Sequence, residues 1–173
     1  EGIMARSGAF VQKTQSSNGF TSSLVLPDFA SSVTSGNTII VMVGIDGTTQ
    51  TVSVADDQSN TYTAAINTST ASHKFQTFYA YNVIGGAAFT ITVTISASRS
   101  VTAIASEYSG LTTTDPKAQV ASATGTSTTP DSGNTPTTTQ ANEIIVGNTF
   151  VETVATITAG TGFTQRAAEN NAN

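Results

Sequence analysis

The 173-residue chain carries six Lys and Arg against eleven Asp and Glu, a net charge of −5, and contains neither Cys nor Trp. Without a Lys/Arg cluster there is no focused positive field, which argues against nucleic acid or anionic lipid as a partner, and zero Cys excludes disulfides, thiolate metal sites and a thiolate nucleophile. No apolar run approaches the ~20 residues of a membrane span, and hydroxyl groups stand in for the missing charge, Ser and Thr making up about 30% of the chain.

From the N-terminus, residues 1–13 read as an extension or as a first strand that can be donated to a neighbour; residues 14–173 read as one domain. Residues 20–26 form a short β-pattern. Residues 38–45 (TIIVMVGI) are a nearly continuous β-branched run between Ser35-Gly36-Asn37 and Asp46-Gly47, as expected of a strand buried on two sides. Weaker patterns follow at 51–55, 62–66 and 75–81, separated by the Asp57-to-Asn60 and Gly85-Gly86 turns. The clearest strand is residues 89–95: Phe89, Ile91, Val93 and Ile95 fall on one face, Thr90, Thr92 and Thr94 on the other.

Residues 101–108 make a further strand ending at Ser109-Gly110, and 117–123 another. Residues 124–139 (TGTSTTPDSGNTPTTT) hold two of the four Pro and read as an extended loop or edge segment over the domain, with a linker as the other reading. Residues 143–150 (EIIVGNTF) are a second nearly continuous apolar run, read like 38–45 as a central strand buried on two sides or in the sandwich middle, and 163–168 close the series. Helical periodicity is nearly absent. The spacing predicts an all-β, antiparallel, jelly-roll-like β-sandwich of about eight to eleven strands.

Few residues suggest chemistry. His73, the only His, lies in a polar loop with no nucleophile elbow to hold a partner Ser, so a triad hydrolase is rejected. Carboxylate pairs for glycoside hydrolysis would come from Glu107, Glu143 and Glu152 with Asp46, Asp56 and Asp57. Glu107 sits in an otherwise apolar strand and therefore needs hydrogen-bond donors; the Ser109-Gly110 amides, Arg99 and Arg166 are the candidates, and anchoring is the simpler role.

Asp56, Asp57 and Asn60 supply the oxygen ligands that Ca²⁺ prefers, without the Gly and terminal Glu of an EF-hand, and serve equally well as turn caps. Tyr79 and Tyr81 share a strand face, so if Phe78 points inward both are candidate sugar-stacking platforms; core packing is the alternative. No other cofactor is indicated. The Asn67-Thr68-Ser69 sequon reads as a chance match in so Ser/Thr-rich a chain.

Seven strings occur in order: DDQSNTYT (56–63), FYAYNVIGG (78–86), TITVTISAS (90–98), ASEYSGLTTTDP (105–116), SATGTST (122–128), TTTQANEIIVG (137–147) and TAGTGFTQR (158–166). With these the chain resembles a bacterial and phage extracellular β-sandwich domain of secreted surface proteins and phage tail or structural proteins, EYSGL being the most specific element. The resemblance implies a non-enzymatic structural or adhesive module, extracellular, at a cell surface or on a virion, with no catalytic residues to carry over. Its partners would be copies of itself or neighbouring subunits. A carbohydrate-binding module of a secreted protein is the alternative.

The resemblance also implies further strands beyond Asn173. That leads to three expectations: a shortened chain, a trimmed one, or one completed by a strand from a neighbour through residues 1–13.

Overall fold

A computed structural model describes residues 8–137, 143–152 and 155–169. Among them the protein is all-β and antiparallel. Its six strands are β1 (Ala9–Val25), β2 (Thr38–Asp46), β3 (Val52–Asp56), β4 (Thr63–Ser69), β5 (His73–Ala80) and β6 (Ile91–Ser109). They hydrogen-bond in the order β1-β6-β2-β5-β4, with β3 on β6.

Two long strands make this sandwich-like. The second half of β6 pairs with the first half of β1 and with β2, as in Tyr108 opposite Phe10 and Thr38. Its first half pairs with the end of β1 and with β3, as in Val93 opposite Leu24 and Val54. Between them the β1–β6 register slips twice, around Asn18, Thr21 and Ser23, where Gly19 and the SASRS stretch of β6 lie. A bulge bends a strand and increases its twist, so one strand pair turns the corner and serves both layers.

The core lies between the two layers. Ile39, Val41, Val43 and Ile45 of β2 and Val101, Ala103 and Ala105 of β6 face Leu24, Ile91, Val93 and Ile95, all buried. The alternation expected of residues 89–95 is present: Phe89 and the three aliphatics are inside, while Thr90, Thr92 and Thr94 are exposed or half-buried. The continuous run of β2 is explained as well, since its even positions Ile40 and Met42 lie half-buried on the opposite face. The loop between β1 and β2 caps the open end, with Phe29 edge-to-face on Phe89 at 6.1 Å and Val33 bridged to Gly86. Beside that bridge a Cβ on Gly85 would collide with the carbonyl of Val33, so only glycine lets the two backbones approach there.

The strand count falls below the expected eight to eleven for two physical reasons. Patterns at 89–95 and 101–108 fuse into β6, and 20–26 fuses with the preceding residues into β1, because a bend does not break a ladder. The patterns at 117–123, 143–150 and 163–168 run without ladder partners among the described residues. Residues 9–13, read from sequence as part of a donatable extension, form the start of β1 and pair within the chain, Ala9 with Ser109 and Lys13 with Ser106; residues 1–7 lie outside the described residues.

Candidate functional site

The face of the larger layer that points away from the core is where the rest of the chain gathers. It presents Met42 and Gly44 of β2, Phe75, Thr77 and Tyr79 of β5, and Tyr108 of β6, the positions alternating with the core residues. The described residues after Gly110 return over it in three passes with no regular secondary structure.

The first pass is tied down where Asp115 accepts a hydrogen bond from the Tyr79 hydroxyl at 2.8 Å and Ser122 meets Thr68 at 3.0 Å. In the second, Asn148 donates to Thr77 at 3.2 Å and Phe150 stacks on Phe75 at 6.5 Å. Gly44 is the seat for Phe150, since a Cβ there would collide with the edge of the ring. In the third, Arg166 sits 4.7 Å over the Phe10 ring, and Glu169 accepts from Gln15 and Ser17.

The second pass is a strand in everything but its ladder. Ile144, Val146, Asn148 and Phe150 are half-buried while Ile145, Gly147, Thr149 and Val151 are exposed, the period of two that an extended chain over a sheet requires. The space between this layer and the sheet is about 3680 Å³, well beyond the roughly 300–1,000 Å³ of a ligand cleft, so it is an open interlayer gap and not a small-molecule pocket.

Glu107 is fully buried. Its donors are Gln12 Nε2 at 2.6 Å, the amide of Thr34 at 2.9 Å and Asn37 Nδ2. Gln12 in turn spans the Ser31 amide and carbonyl. The donors expected from sequence are not used. Odd-numbered residues of β6 face the core, so Glu107 points at the capping loop, while Arg166 lies over Phe10 on the other side of the sheet. Long-range partners carry no local sequence signal, although a Glu in register with buried alanines is itself the clue that partners exist. The group joins β1, β6 and the loop, a structural role.

Asp56 closes the turn after β3. One carboxylate oxygen accepts from the amides of Gln58 and Asn60, both at 3.0 Å; the other accepts from Asn60 Nδ2 at 3.0 Å and the Tyr62 hydroxyl at 2.9 Å. The Asn60 amide also pairs with the backbone of Ile84 through both its oxygen and its nitrogen. Asp57 points elsewhere, toward the Thr90 amide at 3.4 Å. Of the three proposed metal ligands, then, the structure joins Asp56 and Asn60 to each other and fills their oxygens with N–H and O–H donors. The expected result is a melting temperature that does not move with added Ca²⁺ or with chelator; an increase with Ca²⁺ would favour the metal reading of Asp56, Asp57 and Asn60.

Burial first, then the Asp56 charge and hydrogen bond, raise the Tyr62 hydroxyl far above its ordinary value of 10. The unfolded chain releases this proton near pH 10 while the folded chain keeps it, so the folded state binds more protons above that pH. Its stabilising effect is complete below about pH 10 and declines as pH rises beyond it. Tyr62→Phe should flatten that alkaline decline while lowering neutral-pH stability by about 1–2 kcal/mol, because Asp56 loses a donor; urea titrations at neutral and alkaline pH read both effects.

Tyr79 and Tyr81 separate. Tyr79 is 6% exposed, and burial together with the Asp115 hydrogen bond pushes its hydroxyl up to about 12. Tyr81 is 38% exposed and stacks on Tyr79 at 6.1 Å. Phe78 does point inward, as the platform reading required, but the returning chain covers Tyr79 and leaves Tyr81 as the accessible ring. Beside it lies a shallow depression of about 320 Å³ between the 59–63 and 81–84 turns.

His73 opens β5 instead of lying in a loop, with Asp46 at 3.6 Å on one ring nitrogen and Glu152 at 3.8 Å on the other. Two of the candidate carboxylates converge here on one imidazole, and no hydroxyl is hydrogen-bonded to that imidazole among the described residues. No family model, curated protein or solved structure matches the chain.

Proposed function

We propose that this domain is a non-enzymatic structural and adhesive module, extracellular, belonging to a bacterial surface or phage structural protein, and that it assembles with copies of itself or neighbouring subunits by pairing strands onto its outer layer. The observation that carries this reading is the 143–150 pass. Its backbone is extended, its inner side chains are seated, and it has no ladder partner among the described residues, while Ile145 is 65% exposed and Val151 36%. An extended apolar segment with unpaired backbone is a template for another strand. The resemblance in the EYSGL and neighbouring strings points the same way.

Light scattering coupled to gel filtration, with negative-stain microscopy, tests the assembly. The expected result is concentration-dependent oligomers or filaments that Ile145→Lys disperses. A monomer at every concentration would count against it. Deleting residues 1–13 is a poorer probe, because it removes the first five residues of β1, four of them paired with β6. The alternative, a carbohydrate-binding module of a secreted protein, is favoured by one observation, the accessible Tyr81 ring beside a polar depression.

A further inference from the structure

We propose that the corner between the 59–63 and 81–84 turns binds one ring of an uncharged glycan, with Tyr81 as its stacking platform. This gives the adhesive reading a ligand, and rests on that reading for its biological setting alone; it does not require self-assembly.

Four observations meet at this corner. The first is a platform held in place. Tyr81 stacks on Tyr79 with ring planes 25° apart, and Tyr79 is buried and hydrogen-bonded to Asp115, so Tyr81 is supported on one side and open on the other. An aromatic ring whose orientation is already fixed loses little conformational freedom when a ligand lies on it.

The second is the floor. Asn60 is locked by Asp56 and by both backbone groups of Ile84, which ties the two turns into one rigid unit before any ligand arrives. The strained backbone agrees with this, since Ser59 at φ 61° and Asn82 at φ 50° hold left-handed conformations at the two sides of the depression.

The third is unused hydrogen-bonding capacity. The side chains of Ser59, Thr61, Thr63 and Asn82 line the depression, and none is hydrogen-bonded to the protein among the described residues. Three rotatable hydroxyls and a carboxamide both donate and accept, as the hydroxyls of a sugar do. The apolar C–H face of a pyranose would lie on Tyr81, with Ile84, 60% exposed, at the rim.

The fourth is the absence of charge. The lining contains no ionisable carboxylate, ammonium or guanidinium, and the adjacent Asp56 has both oxygens turned to internal donors. Nothing there recognises a phosphate, a sulfate or a carboxylate. The volume of about 320 Å³ is at the lower end of ligand clefts, enough for one saccharide ring with its neighbours in solvent.

The test is a titration of glucose, galactose, mannose, N-acetylglucosamine and sialic acid into the ¹⁵N-labelled protein, read by amide shifts and saturation transfer. The expected result is that at least one neutral sugar shifts amides confined to 59–63 and 81–84, and that sialic acid does not. Tyr81→Ala should weaken that binding about tenfold or more, and Tyr81→Phe should retain it. Because Tyr81 is exposed beyond the end of β5, both variants should keep the wild-type spectrum elsewhere. Shifts from none of the neutral sugars, unchanged binding in Tyr81→Ala, or preferential binding of sialic acid would overturn the proposal. A monomer that binds sugar would refute assembly alone, and an oligomer that does not bind would refute this site alone.

Discussion

Glu107→Ala should be the most damaging single substitution in the outer half of β6, lowering stability by about 3–5 kcal/mol. Three donors from two segments, β1 and the capping loop, converge on this buried carboxylate, and truncating it leaves the Thr34 amide and Asn37 Nδ2 without this acceptor and Gln12 Nε2 with the Ser31 carbonyl alone. For a domain of this length each kcal/mol corresponds to roughly 2–4 °C, so the melting temperature should fall by about 6–20 °C.

Glu107→Gln is the informative partner. Its oxygen can still serve Thr34 and Asn37, but its amide nitrogen then meets the amide nitrogen of Gln12. Rotating Gln12 to relieve that contact would break its bonds to the Ser31 amide and carbonyl. The expected loss is about 1–3 kcal/mol, intermediate between Ala and wild type. Denaturant titration measures both variants, and hydrogen exchange should show the Thr34 amide losing protection first. An alanine variant within about 1 kcal/mol of wild type would mean that the capping loop is not held by this carboxylate.

The second large effect concerns the outer layer alone. Gly44→Val places branched carbon where the Phe150 ring now sits, against backbone that cannot retreat because β2 is laddered on both sides. Phe150 must leave, and with it goes the stacking on Phe75 and the tilted contact with His73 at 5.7 Å. The core face of β2 is untouched, so the two-layer core should persist while residues after Gly110 become sensitive to protease. The expected product of limited digestion is a resistant fragment ending near residue 110, formed many-fold faster than from wild type. Phe150→Ala should give the same fragment through loss of the ring itself. Equal digestion of Gly44→Val and wild type would show that the second pass is not seated on β2.

Sequence patterning found the core because periodicity is a local property. Phe89, Ile91, Val93 and Ile95 announce a buried face through spacing alone, and the β-branched run of β2 announces burial on two sides before any partner is known. Turns were legible for the same reason, since the carboxylate of Asp56 takes its donors from Gln58, Asn60 and Tyr62 close by in the chain, and the metal and turn readings of that sequence differ only in what fills the oxygens. The Glu107 donors were not legible: Gln12, Thr34 and Asn37 lie 70 or more residues away in the chain, and only the fold brings them together.

Tyr79 and Tyr81 mark the boundary between the two kinds of knowledge. Their shared strand face follows from the two-residue repeat, but which of them meets solvent depends on where the chain after Gly110 returns. Residues 143–150 show the same division. Their apolar, strand-like run is written in the sequence and reads as a central strand buried on two sides, whereas in the structure one face is exposed and no ladder partner is present among the described residues, because hydrogen-bond partners in a sheet come from other segments. The amino-acid order by itself determined an all-β chain with apolar and hydroxyl-rich faces, through interactions spanning a few residues. Tertiary structure alone decided which carboxylate is buried, which tyrosine is open and which extended segment has no ladder partner among the described residues, because each depends on contacts between segments far apart in the chain.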